Sequence, residues 1–424
     1  MPPSPPVDTQ APNIPATSPL AVNDRLGRLS DYPFTRLASL LAGITPRANV
    51  DPVIMSVGEP QHAPPALIDE VLRGQAHLWG KYPPVAGTPE FRGAAARWLG
   101  RRYGLPSGMI DPDRMVLPVA GTREALFLAS LLAVPESKAG RRPAVLLPNP
   151  FYAAYEGAAV MAGAEPVFLT TTRETGFLPD LDTLEPDLLD RTALFYLCTP
   201  SNPQGAIADR AYLERAITLA RRHGFVLAVD ECYAEIYDAE PPTGVLEVAA
   251  TMPDTGTAGG SGPLANLLVF HSLSKRSNAA GLRSGFVVGD PDLIALFSRL
   301  RSYSIAGTPL PALAAAAALW DDDAHVVENR AMYRAKFDAA QAALAGRFGF
   351  QRPAGGFFLW LDVGDGEAAT VKLWREGAIK VLPGAYLTRP DADGVNRGSS
   401  FIRIALVHDA ATVAEACTRI AKIL

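Results

Sequence analysis

The sequence predicts an α/β protein with a mostly parallel central sheet and a second, smaller α+β lobe. Three observations carry this. At 424 residues, 48% of them hydrophobic, the chain is too long for one small domain and has material for two packed cores. Short apolar runs recur between about residues 110 and 290, each followed by a turn-rich segment and a helical stretch. Those runs are apolar throughout instead of alternating, as strands are when helices cover both faces of a sheet.

Taken in order, the first 23 residues are rich in Pro, Ser and Thr. They lack the basic and apolar segments of a secretory signal and are expected to form a disordered arm. Residues 24–61 are expected to pack on the smaller lobe, residues 62–305 to form the large domain, and residues 306–424 the small C-terminal domain. The apolar runs are MVLPV (115–119), AVLLP (144–148), ALFYLC (193–198), FVLAVD (225–230), LLVF (267–270) and GFVVG (285–289). Strands separated by helical stretches argue for parallel pairing. Residues 241–264, rich in Pro, Gly and Thr, read as a surface loop. A helical region runs over roughly 310–347, and GFFLWLDV and FIRIALV beyond it read as strands of the small domain. PALAAAAALW is shorter than the ~18 apolar residues that a membrane span requires.

Charge and cysteine usage exclude some function classes. Lys and Arg number 39 against 44 Asp and Glu, a net charge of −5. With no basic run, nucleic acid is not an expected partner. The three cysteines, Cys198, Cys232 and Cys417, are scattered and show no metal-ligand spacing. That usage suits a reducing cytoplasm.

In open parallel sheets ligands bind beyond the carboxyl ends of the strands. Five such ends carry polar groups: Gly121-Thr122 after the first run, Asn149-Pro150-Phe151-Tyr152 after the second, and Thr199-Pro200-Ser201-Asn202-Pro203 after the third. Asp230 ends the fourth, with Tyr233 three residues on, and Ser272, Ser274 and Lys275 follow the fifth. Singly, each reads as a helix cap, a turn or a solvated charge. At one sheet edge they form a constellation. The helix start at Gly121-Thr122 offers free N–H groups to an anion. Ser272 and Ser274, two apart in extended backbone, would point their hydroxyls the same way. Arg283 adds a guanidinium fork. Beside this phosphate cup, Lys275 suits a Schiff-base lysine whose cationic neighbours lower its pKa. Asp230 suits a pyridine nitrogen, Tyr233 and Asn202 a ring phenolate, and Tyr152 a ring face. These groups describe a pyridoxal-phosphate site. A nucleotide-binding oxidoreductase fits less well, because no G-x-G-x-x-G follows the first strand. A transcription regulator would need a DNA-binding module, and the residues before position 24 are too few and not basic.

S-L-S-K with Arg283 eight residues later, N-P-x-G at 202–205 and D-x-x-Y at 230–233 resemble the class I/II aminotransferases of the aspartate aminotransferase fold family, fold type I. The resemblance runs from about residue 30 to the end. It implies a homodimer with shared active sites. It further implies that Tyr82 in KYPPVAGTPEFR reaches the neighbouring subunit's phosphate, that Arg403 in FIRIAL clamps the substrate α-carboxylate, and that Gly58 in SVGEP meets that carboxylate through its backbone. His271 is expected to pack structurally, and Glu59 can face either a substrate amine or solvent.

The segments HSLSKRSNAAGLRSGFVVGD, NPFYAAYEGAAVMAGAEPVFL and DDDAHVVENRAMYRAKFD are similar to the proteobacterial N-succinyldiaminopimelate aminotransferases. These use glutamate as amino donor on the lysine and cell-wall pathway. Departures are Asn278-Ala279-Ala280-Gly281 for Asn-Val-Pro-Gly, Pro203-Gln204-Gly205 for Pro-Thr-Gly, and an unusual SYSIAGTP at 302–309; the last bears on the substrate pocket or on the neighbouring subunit's contribution to it. Arg28, Arg36, Lys81 and Arg301 are the candidates for a distal carboxylate. Acetylornithine, succinylornithine or aspartate as substrate, or a fold-related pyridoxal-phosphate lyase, are the alternatives.

Overall fold

The computed structural model describes residues 22–253 and 262–424; the expected N-terminal arm lies outside the described residues except for its last two. The strands, in chain order, are β1 (Val53–Ile54), β2 (Val116–Val119), β3 (Ala144–Asn149), β4 (Glu165–Thr170), β5 (Thr192–Cys198) and β6 (Val226–Asp230). They continue with β7 (Leu267–Ser272), β8 (Gly285–Gly289), β9 (Phe358–Asp362), β10 (Ile379–Lys380), β11 (Leu382–Pro383) and β12 (Phe401–Ala405).

The central sheet has seven strands in the order β2-β8-β7-β6-β5-β3-β4. Only β8 runs against the others, pairing antiparallel with both β2 and β7. Each predicted run is one of these strands. The alternating side chains explain why the runs are apolar throughout. Phe195, Leu197, Leu227 and Val229 pack into the core on one face, while Leu194, Tyr196, Val226 and Ala228 pack into the core on the other. Both faces are dry, so neither residue parity needs to be polar. Sequence reading missed β4. It is an edge strand, half-buried along its length and carrying Pro166, and Pro is the residue that demotes a run from strand to turn.

One further expectation is corrected, and one, the helical region at 310–347, holds with a break inside it. The 241–264 segment is not simply a surface loop. Val245–Ala249 forms a short helix whose Val245, Leu246 and Val248 are fully buried. Its first N–H, on Val245, donates to Glu231 Oε1 at 2.8 Å. The apolar V-L-x-V-A run, buried on the core, outweighs the flanking Pro and Gly. The 310–347 region is two helices, Leu310–Asp321 and Ala324–Leu344. The run Asp321-Asp322-Asp323 breaks it, because the Asp322 carboxylate accepts the Ala324 N–H (3.0 Å) and restarts the helix.

The smaller sheet has the order β11-β12-β9, antiparallel. Helices Ala324–Leu344 and Ala410–Ile423 pack on each other beside it. Early residues join this part of the structure. β1 pairs in parallel with β10, and helix Pro33–Leu40 buries Leu37 against Leu382, Tyr386 and Leu387. The C-terminal ends of β5 and β6 are level, with Cys198 opposite Asp230, and this edge faces the smaller sheet.

Candidate active site

A cavity of about 590 Å³ opens at that edge. Its lining brings together Gly58, Thr122, Tyr152, Asn202, Asp230, Tyr233, Ser272, Ser274, Lys275, Arg283 and Arg403. Gly121 adjoins it through Arg283. Tyr82 does not line it; its side chain is fully exposed elsewhere on the surface.

At one end is an anion cup. Helix Thr122–Ala133 begins directly after Gly121, whose φ is +99°. A Cβ at Gly121 would lie 2.3 Å from Arg283 Nη2, so only glycine lets the guanidinium approach the helix start. Arg283 is fixed there by donating to Ala120 O (3.0 Å) and Ala280 O (2.8 Å). The serines are arranged differently from the extended pair expected. Ser272 ends β7, and Ser274 lies in a helical turn, Leu273–Arg276. The Ser274 N–H donates to Ser272 Oγ at 3.1 Å. The chain reverses at the strand end through this cap, and the Leu273 N–H is likewise taken, by Ser284 O at 3.1 Å, so the two hydroxyls do not form the parallel pair anticipated.

Lys275 follows in the same turn. Its amine donates to the Gly58 carbonyl and lies 5.3 Å from the Phe357 ring centroid. Burial lowers its pKa to about 8; Arg403 and Arg123 act in the same direction, while Cys232 and Glu59 oppose. Asp230 is 4% exposed. Its Oδ2 accepts from the Tyr155 hydroxyl (2.9 Å) and its Oδ1 from the Cys232 N–H (3.2 Å). Burial raises its proton affinity, against the pull of these donors and of Lys275. Tyr233 is buried edge-on against Phe357 and Phe358.

Arg403 enters from β12 and is 5% exposed. It donates to Ser56 O (2.6 Å) and Asn202 Oδ1 (3.2 Å), and its Nε is buried without a partner. Burial lowers its pKa to about 10. His271 packs as expected, buried against Trp98 and Phe286 with ring centroids 4.9 and 5.2 Å away.

None of the four candidates for a distal carboxylate lines the cavity. Arg301 is 1% exposed and donates to Val85 O and Pro118 O. Arg36 lies over the Tyr386 ring, Arg28 pairs with Asp24, and Lys81 is exposed. The cavity instead holds Arg123, one residue into the helix after Gly121-Thr122, whose Nε donates to the Tyr152 hydroxyl. The signal was present in G-T-R-E. A charge next to an anion-binding helix start reads as an ordinary surface residue until the cavity is seen. Tyr155 was missed too, because nothing local marks a helical tyrosine as the partner of a distant Asp.

Pyridoxal phosphate has a phosphate, an aldehyde, a phenol oxygen, a ring nitrogen and a flat face. The cup, the Lys275 amine, Asn202 with Tyr233, Asp230 and the Tyr152 ring fit these in turn. Two groups need something the protein itself does not provide. Asp230 is a buried carboxylate that forms no salt bridge among the described residues, Lys275 acting on it only at longer range, and Arg403 is a buried guanidinium on the cavity wall that forms no salt bridge among them either. A protonated ring nitrogen answers the first, and a substrate carboxylate answers the second. Among the described residues there is no cluster able to hold a metal ion and no helix long and apolar enough to cross a membrane.

Comparison with known proteins shows the family of the chain. The family model "Aminotransferase class I and II" matches residues 50–420. A crystal structure of an aminotransferase from Neisseria meningitidis superposes with a TM-score of 0.87 at 39% identity, covering 95% of this chain and 99% of that one. A probable N-succinyldiaminopimelate aminotransferase from Thermus thermophilus superposes with a TM-score of 0.78 at 26% identity, covering 92% of this chain and 100% of that one. The LL-diaminopimelate aminotransferase of Syntrophobacter fumaroxidans is 31% identical over 409 residues, 94% of this chain and 98% of that protein.

Proposed function

We propose that this chain, which belongs to the class I and II aminotransferase family and takes pyridoxal phosphate as its cofactor, converts N-succinyl-2-amino-6-oxopimelate and glutamate to N-succinyl-LL-2,6-diaminopimelate and 2-oxoglutarate, and the reverse. The observation that carries this reading is the pair of guanidinium groups, Arg403 and Arg123, that share the cavity with the Arg283 of the anion cup. Both are near enough to the Lys275 amine to lower its proton affinity. Glutamate, 2-oxoglutarate and the succinylated substrate all present an α-carboxylate and a distal carboxylate, so one pair of forks serves both half-reactions. Arg403 takes the α-carboxylate and Arg123 the distal one. Similarity to the Thermus protein supports the succinylated substrate.

Bound pyridoxal phosphate supplies an electron sink for the carbanion formed at the substrate α-carbon. Lys275 is the residue the aldehyde bonds to. Its amine would take the proton from the substrate α-carbon, and burial, which lowers its pKa to about 8 in the free protein, favours the uncharged form this requires. Fixing that amine beside the α-carbon replaces a bimolecular encounter, a gain of up to ~7–11 kcal/mol in well-oriented systems. Asp230 keeps the ring nitrogen protonated through its charge. Asn202 and Tyr233 donate to the phenol oxygen, and Tyr152 covers the ring face. Gly121, Thr122, Ser272, Ser274 and Arg283 hold the phosphate. Gly58, whose carbonyl already meets the Lys275 amine, borders the α-carboxylate position. The enzyme acts as a cytoplasmic homodimer. Tyr82, fully exposed in one subunit, reaches the phosphate of the other. Gly307, in the 302–309 segment, packs against Pro83 beside Tyr82, which ties that unusual segment to the shared edge of the site.

A second reading has its own observation. Glu59 lines the same cavity as an exposed carboxylate and acts on the Lys275 amine. It suits a free distal ammonium, which unblocked LL-diaminopimelate has and the succinylated form lacks. The LL-diaminopimelate aminotransferases among the relatives point the same way. Single-turnover mixing of loaded enzyme with N-succinyl-LL-diaminopimelate, LL-diaminopimelate or N-acetylornithine, following loss of the cofactor's visible band, separates them. A much larger rate constant per concentration for the succinylated diamine is expected. Preference for the free diamine moves the assignment to the second reading, and preference for acetylornithine refutes both.

A further inference from the structure

We infer that Tyr155 is a positioning residue for the transamination chemistry, acting through Asp230. The inference rests on Asp230 being the partner of the cofactor's ring nitrogen. Tyr155 lies on helix Ala153–Met161, three residues after Tyr152. Both tyrosines therefore line the cavity, Tyr155 beside Asp230, with the two rings edge to face at 5.5 Å and 88°. The Tyr155 ring is 1% exposed and its hydroxyl donates to Asp230 Oδ2 at 2.9 Å. Burial holds the phenol pKa well above its ordinary value, so the group is a fixed donor and never a base.

The donor matters because Asp230 is buried. A carboxylate removed from water gains proton affinity. When it shares a proton with a ring nitrogen, the proton sits on whichever partner is the stronger base. A hydrogen bond donated to the charged carboxylate weakens it as a base and leaves the proton on the ring nitrogen. Withdrawing that donor shifts the proton toward Asp230, and the ring loses the positive charge that makes it an electron sink.

The tyrosine is itself held. Its ring stacks on Tyr196 of β5 at 4.5 Å and 5°. The Tyr196 hydroxyl donates to Leu126 O at 2.5 Å and meets Ser130 Oγ at 2.8 Å. Leu126 and Ser130 belong to helix Thr122–Ala133, whose start forms the anion cup. Tyr155 and Tyr196 thus connect the carboxylate that faces the ring nitrogen to the helix that faces the phosphate, setting the spacing between the cofactor's two ends. A core tyrosine that only filled space would need neither the bond to Asp230 nor the stacked relay.

The test uses holoenzyme carrying pyridoxal phosphate labelled with ¹⁵N at the ring nitrogen. In Tyr155→Phe, which keeps ring and volume and removes only the donor, the nitrogen resonance at pH 7 is expected to move toward the unprotonated position. The ³¹P resonance of the phosphate should stay in place. kcat should fall about tenfold with KM within about twofold, the scale of one hydrogen bond to a charged group. Should that variant not fold, 4-fluorophenylalanine at position 155 keeps the ring and nearly the volume of the hydroxyl, removes the O–H donor, and must move the same resonance in the same direction. An unmoved nitrogen resonance in either folded holoprotein overturns the inference. Asp230→Asn run alongside separates the two layers. If it too leaves the nitrogen unmoved, the role of Asp230 is what fails; if it moves the nitrogen while Tyr155→Phe does not, only the role of Tyr155 fails.

Discussion

Replacing Arg403 by Ala tests the substrate-binding geometry most directly. The side chain comes off β12, is 5% exposed, and is anchored by donating to Ser56 O and Asn202 Oδ1. That anchoring holds the guanidinium on the cavity wall, where it forms no salt bridge among the described residues. Two charge-assisted bonds to a carboxylate at about 1.5–3 kcal/mol each sum to roughly 3–6 kcal/mol, or about 10²- to 10⁴-fold in kcat/KM. Arg403→Lys keeps the charge and loses the fork, and should recover only part of the loss. Single-turnover half-reactions with glutamate, the succinylated diamine and alanine measure this, with circular dichroism to confirm folding. Every amino donor must suffer by a similar factor, since all share the α-carboxylate. A loss confined to one substrate would refute the α-carboxylate role and place Arg403 at the side-chain end of the site.

Three other outcomes are expected. Lys275→Ala should abolish both turnover and the visible absorbance of bound cofactor, read in one spectrum; retained turnover would remove Lys275 from the proton transfer. Arg123→Leu should lower kcat/KM for glutamate by about 10- to 100-fold while sparing alanine, the worth of one charged contact; equal losses for both would make Arg123 a structural group. Lys336 is fully buried on helix Ala324–Leu344, donates to Val407 O at 3.2 Å, and burial lowers its pKa to about 7. Below pH 7 it is charged in both folded and unfolded states and its burial penalty is complete. Between about pH 7 and the unfolded value near ~10.4 the unfolded chain binds more protons, so stability rises with pH. Lys336→Met should therefore raise the apoprotein Tm at pH 6 and lose that advantage by about pH 10, as calorimetry across pH can check; a Tm difference independent of pH would show that the lysine is not buried as a charge.

The amino-acid order by itself determined the large sheet and most of what faces the cavity. Strands buried on both faces are apolar at every position, so β3, β5, β6 and β7 stand out without any partner in view. Parallel strands all end at one edge, so the polar residues after each run, Thr122, Tyr152, Asn202, Asp230 and Lys275, fall together once the sheet is granted. Local sequence was silent or misleading where a neighbour distant in the chain decides. Ser272 and Ser274 read as an extended pair, and the turn capped by Ser272 Oγ placed them otherwise. The short helix at Val245 follows from packing and from the Glu231 carboxylate, which outweigh its Pro- and Gly-rich flanks. Arg301 looked like a free cation, and the carbonyls of Val85 and Pro118 took it into the interior. Tertiary structure alone seated Arg403 on Ser56, 347 residues away in the chain, admitted Arg123 to the cavity, and brought the Tyr155 hydroxyl to Asp230. Periodicity records which side of an element is dry; only the packed chain fixes which buried donor meets which buried acceptor, because an unpaired polar group in the interior costs more than any local preference returns.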